Sequence, residues 1–178
     1  MGSKLIIVID MQNDFVHGLL GTAEAKATIG NIRDKILRNV GGEVIFTQDT
    51  HFADYMNTHE GEWLPVPHCV RNTSGWDIIP ELKGFADETY CLEKGAFGYD
   101  NWDSFLIEGP LDQDWAEIEL CGVCTDICVV SNALMLRSLF PNTNITVDAS
   151  CCAGTSIAKH NAALDVMESC HINVINRE

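Results

Sequence analysis

The chain has 178 residues, enough for one domain with a full core, and its 46% hydrophobic and 21% charged content is that of an ordinary soluble globular protein. Its net charge of −15 argues against nucleic acid and anionic membrane surfaces as partners. No apolar run reaches the length of a membrane span, and residues 1–30 lack a basic start followed by a long apolar stretch and a cleavage site, so a cytoplasmic location is expected.

Strand-like runs fall in chain order at residues 4–10, 43–48, 89–93, 116–123, 143–148 and 171–175. Helical stretches lie between them at about 24–40, 100–108, 125–139 and 156–170. Apolar strands separated by amphipathic helices predict one α/β domain over residues 1–178, a three-layer arrangement with a mostly parallel six-stranded sheet flanked by helices. Residues 49–80 are the exception. They form a long connection rich in His, Pro and Trp, and connections of this length are often functional. No glycine-rich dinucleotide or phosphate loop follows any strand, which disfavours a nucleotide site.

Three chemical groups are delivered to strand ends. Asp10 closes the apolar run at residues 5–9, and Lys94 follows Tyr90-Cys91-Leu92 and opens into Gly95-Ala96-Phe97-Gly98. Cys128 lies just inside the helix that follows Ile118-Glu119-Leu120-Cys121-Gly122-Val123. Ligands of open α/β sheets bind at the carboxyl ends of strands, so these groups and the start of the 49–80 connection should share one edge. Thr125 or Asp126 can cap the helix, leaving Cys128 in the first turn, where unpaired N–H groups and the helix dipole favour a thiolate. The residues alone leave open whether Cys128 is a nucleophile or a small buried side chain, and whether Asp10 and Lys94 relay protons or form a structural ion pair.

Eight cysteines without a secretory signal should be mostly reduced, with Cys91, Cys121, Cys151 and Cys152 read as small buried hydrophobes. A zinc site from Cys121, Cys124 and Cys128 would lack a second cysteine pair.

Five segments in order resemble the isochorismatase-like cysteine hydrolases, particularly their nicotinamidase branch. They are Val8-Ile9-Asp10-Met11-Gln12-Asn13-Asp14-Phe15, Thr47-Gln48-Asp49-Thr50-His51, Pro67-His68-Cys69, Glu93-Lys94, and Gly122-Val123-Cys124-Thr125-Asp126-Ile127-Cys128-Val129. The resemblance implies a Rossmann-like sheet and an Asp10–Lys94–Cys128 triad. It also implies a non-proline cis peptide at Val123–Cys124 and an oxyanion hole formed by the N–H groups of Cys124 and Cys128.

Asp49 and His51 alternate on an extended segment, so both side chains point the same way. With His68 they match the family's metal motif and suit a divalent ion, zinc first and iron or manganese next. Some relatives place a further histidine where Asn57 stands here, and others use a glutamate nearby, so Glu60 is the preferred extra ligand and His59 the reserve. The resemblance further implies a small-molecule amide substrate, foremost nicotinamide in NAD salvage, flanked by Phe15 and Phe97, with Trp63 as another substrate-binding candidate. A homo-oligomer is expected. The competing readings are hydrolysis of another small amide, ureido or vinyl-ether substrate, and a non-catalytic binding protein of the same fold.

Overall fold

Residues 5–9 carry no polar side chain on either face, and a strand of that kind is stable only in the middle of a sheet covered on both sides. The computed structural model describes residues 3–87, 90–109, 111 and 115–177, and in it this run forms β1 (Ser3–Ile9). β1 pairs in parallel with β2 (Glu43–Asp49) and β4 (Trp115–Val123). β3 (Cys91–Lys94), β5 (Asn144–Ala153) and β6 (Asn173–Ile175) complete an all-parallel sheet of order β3-β2-β1-β4-β5-β6. The expected strand at 89–93 begins on Thr89, outside the described residues, and the observed strand runs on to Lys94.

The chain leaves β1 towards β2 through α2 (Ala23–Arg38), and leaves β4 towards β5 and β6 through α6 (Val130–Leu139) and α7 (Ile157–Ser169). The two halves run in opposite directions across the sheet, so right-handed crossovers put α2 on one face and α6 and α7 on the other. That divergence opens a crevice at the carboxyl ends of β1 and β4. No helix among the described residues is long and apolar enough to cross a membrane.

The connection at 49–80 is more ordered than its sequence suggests. It holds a 3-10 turn (Tyr55–Asn57) and α3 (His59–Trp63), and ends on α4 (Pro80–Lys83). α1 (Asn13–Val16) is equally short, and the helix expected at 100–108 contracts to α5 (Trp102–Leu106). Helices of four or five residues complete barely one turn, so they leave no period to read. β5 extends to Ala153 because its register with β4 jumps from Leu120↔Val147 to Gly122↔Cys152. This bulge brings Cys151 and Cys152 into the strand itself. All eight cysteines are free.

Gly122 is where β4 comes closest to β1. Its φ is +118°, and a Cβ there would meet the Ile9 carbonyl oxygen at 2.1 Å. Gly122→Ala should therefore destabilise the protein by about 2–4 kcal/mol in urea unfolding. Gly30 lies inside α2 with nothing within 4 Å of a built Cβ. There Gly30→Ala should instead stabilise the protein, by up to about 1 kcal/mol.

Candidate active site

Asp10 follows β1 with a φ of +49°, a left-handed conformation uncommon for a residue with a side chain. The turn is secured by Thr47 on β2. The Asp10 N–H lies 3.2 Å from both the Thr47 carbonyl oxygen and Thr47 Oγ1, and Thr47 Oγ1 donates back to Asp10 Oδ1 at 2.6 Å. The second carboxylate oxygen is thereby left facing Lys94, whose Nζ lies 2.7 Å from Asp10 Oδ2.

Lys94 ends β3 beside Asp49, and the side chains of Lys94 and Asp10 are both 0% exposed. Its ammonium reaches Cys128 Sγ at 3.6 Å, Asp49 Oδ1 at 3.1 Å and the Ala96 carbonyl at 3.1 Å. The three residues expected to form a triad therefore meet around one cation. Burial alone would lower the affinity of Lys94 for its proton, but Asp10, Cys128 and Asp49 together raise its pKa well above the ordinary value.

Cys128 lies in a π turn (Thr125–Val129) between β4 and α6, a geometry frequent at functional sites. The Val123–Cys124 peptide preceding this turn is cis. The expected caps are not used. Cys124 occupies the cap position without a side-chain bond, Thr125 Oγ1 lies 2.8 Å from His160 Nδ1, and Asp126 instead accepts from the Thr155 N–H at 2.8 Å and from Thr155 Oγ1 at 2.6 Å. Other groups outweigh the helix start's preference for a thiolate. Burial and then the Asp10 carboxylate push the Cys128 thiol well above its ordinary pKa, and Lys94 offsets only part of this. Asp10 is raised as well, through burial and the charge of Asp49 against the opposing pull of Lys94. Both shifts favour the protonated forms, and the Asp10 carboxyl stands beside the thiol.

A second cluster adjoins the first through Asp49. Gln12 fixes the Asp49 backbone from both sides, donating from Nε2 to its carbonyl at 2.8 Å and accepting from its N–H at 2.8 Å. His51 pairs with Val70 in a short bridge, its N–H donating to the Cys69 carbonyl, and Asp14 holds the Cys69 N–H at 2.8 Å. This brings the His51 and His68 rings to 4.8 Å. Among the described residues, the ligand atoms of Asp49, His51, Glu60 and His68 form the one such group able to hold an ion, all within 4.8 Å of one another.

The donor set fits a metal. His51 Nε2 is buried without a hydrogen-bond partner, although it lies 2.9 Å from Asp49 Oδ2. His68 Nδ1 lies 2.8 Å from the Val66 carbonyl, which can only accept, so Nδ1 carries the proton and Nε2 presents a lone pair to the cluster. His68 Nε2 is 3.6 Å from Asp49 Oδ2 and 3.7 Å from Glu60 Oε1. Ligands about 2.1 Å from a tetrahedral zinc stand roughly 3.4 Å apart, close to these separations. Burial would raise the Asp49 carboxyl, but His51, His68 and Lys94 hold it well below the usual range.

The reserve ligand His59 is not brought in; its side chain is 84% exposed beside Glu62. Trp63 likewise does not join the site, being 80% exposed with its ring 6.2 Å from that of His59. On α3, positions 59 and 63 share the outward face, so turning Glu60 inward turns both of them out. The Phe15 ring lies 5.3 Å from His68, and Phe97 is half-exposed on the loop after Lys94. A cavity of about 200 Å³ opens beside Cys124, lined by Phe15, Leu20, Val123, Ile127 and Ala153 and carrying no charged side chain.

The chain also matches known proteins. The sequence profile of the isochorismatase domain family matches residues 4–178. A nicotinamidase of Schizosaccharomyces pombe is 27% identical, with 97% of this chain and 93% of that protein covered. A nicotinamidase/pyrazinamidase of Mycobacterium tuberculosis is 26% identical over 97% of this chain and 98% of its own. Among solved structures, a nicotinamidase/pyrazinamidase from Bacillus subtilis superposes with a TM-score of 0.81 at 25% identity, covering 97% of this chain and 98% of the other.

Lys94→Met would leave Asp10 and Asp49 as facing buried carboxylates. A loss of about 3–5 kcal/mol in denaturant unfolding is expected, partly recovered in the Asp10→Asn/Lys94→Met double variant. Unchanged stability of Lys94→Met would rule out an ion pair that matters to the fold.

Proposed function

We propose a reaction from one premise: the chain belongs to the isochorismatase domain family. It is a cysteine amidohydrolase that cleaves the C–N bond of a small neutral amide, nicotinamide foremost, releasing nicotinate and ammonia. The observation that carries this reading is the Lys94 ammonium, 2.7 Å from Asp10 Oδ2 and 3.6 Å from Cys128 Sγ. A structural ion pair needs no thiol as a third member.

The chemistry follows from the proton positions. Asp10 takes the proton from Cys128 as sulfur attacks the amide carbon, so the thiolate forms only when it is used. Lys94 stabilises the sulfur while that proton is away. The N–H groups of Cys124 and Cys128 are assigned to the oxyanion of the tetrahedral intermediate. Collapse breaks the C–N bond, Asp10 returns its proton to the departing nitrogen, and ammonia leaves an acyl-thioester. Water then gives Asp10 a proton as it attacks the thioester, the C–S bond breaks, and sulfur is reprotonated as the acid departs.

Asp49, His51 and His68, with Glu60, would hold a divalent metal, zinc first, and that ion would supply a Lewis-acidic point for a ring nitrogen of the substrate. Phe15, whose ring lies beside His68, would flank such a ring, with Phe97 as the second aromatic. In this reading the protein serves nicotinamide salvage in the cytoplasm.

Ammonia release from nicotinamide, pyrazinamide and related amides by metal-replete protein is the direct test. Cys128→Ala should abolish turnover with a melting temperature close to that of the parent, and turnover surviving this change would reject the nucleophile. The working form of Asp10 is its carboxylate, so kcat/KM should fall as pH drops through a value above the ordinary 3.8. Elemental analysis should find a stoichiometric divalent metal that His68→Ala loses and Cys128→Ala keeps. Full amidase activity in metal-free protein would remove the metal assignment while leaving the cysteine chemistry intact.

A further inference from the structure

Asn132, on the first turn of α6, is 0% exposed and takes no part in the reaction described above. Its side chain uses all four of its hydrogen-bonding positions. Nδ2 donates to the Cys128 carbonyl at 2.8 Å and to the Phe97 carbonyl at 3.1 Å. Oδ1 accepts from the Tyr99 N–H at 2.9 Å and from Trp102 Nε1 at 2.9 Å. Two carbonyls on one side and two N–H groups on the other leave no doubt about which way the amide faces.

These bonds join two parts of the site that also meet through the Lys94 ammonium. On one side is the backbone of the nucleophile itself. On the other is the loop that leaves Lys94, where residues 95–97 are exposed and the Ala96 carbonyl takes one of the ammonium's hydrogen bonds at 3.1 Å. Residues 95–97 have little packing of their own to hold them in place, whereas Tyr99 just beyond them packs on the core and against the Trp102 ring. The loop's carbonyl at Phe97 and its N–H at Tyr99 are held by a side chain that also grips Cys128.

We propose that Asn132 is a positioning residue, which pins the loop at residues 96–99 to the nucleophile turn and thereby fixes the Lys94 ammonium between Asp10 and Cys128. The inference rests on Cys128 being the nucleophile. The donor side of the amide does this work, while the bond from Trp102 serves the packing of α5. A misplacement of about 1 Å between reacting groups can cost 10²-fold in rate, so loss of the pin is felt in kcat.

Three variants test it, each assayed with nicotinamide at a temperature where it is fully folded. Asn132→Asp keeps both acceptor bonds and loses both donor bonds. Asn132→Ser loses the loop contacts without adding a charge, which separates lost geometry from altered electrostatics. Trp102→Phe removes one acceptor-side partner alone. The first two should lower kcat 10–100-fold with KM changed less than threefold, and iodoacetamide should label Cys128 at least fivefold more slowly. Trp102→Phe should keep kcat within threefold of the parent, whatever its melting temperature. A folded Asn132→Asp or Asn132→Ser with kcat within threefold of the parent would overturn the proposal, as would failure of both to fold, which would make Asn132 structural only. If the parent protein hydrolyses no amide, the functional reading fails by itself. The labelling rate of Cys128 then decides the role of Asn132, and unchanged or faster labelling counts against it.

Discussion

The ammonium of Lys94 is buried in contact with Asp10, Asp49 and Cys128, and the chemistry on either side depends on that one charge. Without it two carboxylates would face each other in a place with almost no water, and one of them would have to take up a proton. With it, both carboxylates have a cation to face. Asp49 divides its two oxygens accordingly. Oδ1 faces Lys94, and Oδ2 faces the imidazoles of His51 and His68. The thiol centre and the candidate metal centre are thus electrostatically one unit, joined through a single carboxylate.

This arrangement needs backbone as well as side chains. Asp10 sits in a left-handed turn stabilised by Thr47, and Asp49 is held at both backbone atoms by Gln12. These supports come from β2 and from the turn after β1, which are adjacent in the sheet, so groups from three strands reach a common point without a long flexible reach. Oxygen and nitrogen atoms that must be aimed within a few tenths of an ångström are better placed by strands than by loops.

Much of this was legible in the chain itself. Asp10, Lys94 and the Asp49–His51 pair stand out as polar residues at the ends of apolar strands, and the family resemblance, not their position alone, is what favours a site over a structural ion pair. The preference for Glu60 over His59 comes with the family resemblance, but the outward turn of Trp63 is not legible, because α3 is a single turn whose rotation is set by what it docks against. The same holds for Asp126, which reads locally as a helix cap and is instead drawn to Thr155 across the fold. Thr47, Gln12 and Asn132 carry no local signal of their roles. Their partners lie far away in sequence, apart from the Cys128 carbonyl one helical turn before Asn132, and only the folded sheet and its crossovers bring the rest within reach. The local preference at Cys128 is likewise incomplete: the helix position favours a thiolate, but the depth of burial and the carboxylate beside it outweigh that preference.

The order of strands has a consequence for how the protein comes into being. β1 is made first, yet one of its two neighbours is β4, with Leu5 opposite Ile118 and Ile9 opposite Gly122. Closing that pairing means bringing together segments separated by most of the chain, which is slow compared with forming any of the helices. A nascent chain therefore carries Asp10 through most of its synthesis with one side of its strand unpaired, and with the site's thiol not yet made. The apolar surface of β1 is exposed for that interval, which is when a parallel sheet is most open to wrong partners. Until β4 docks, the carboxylates, the lysine and the imidazoles of the candidate site wait for the segment that carries its thiol.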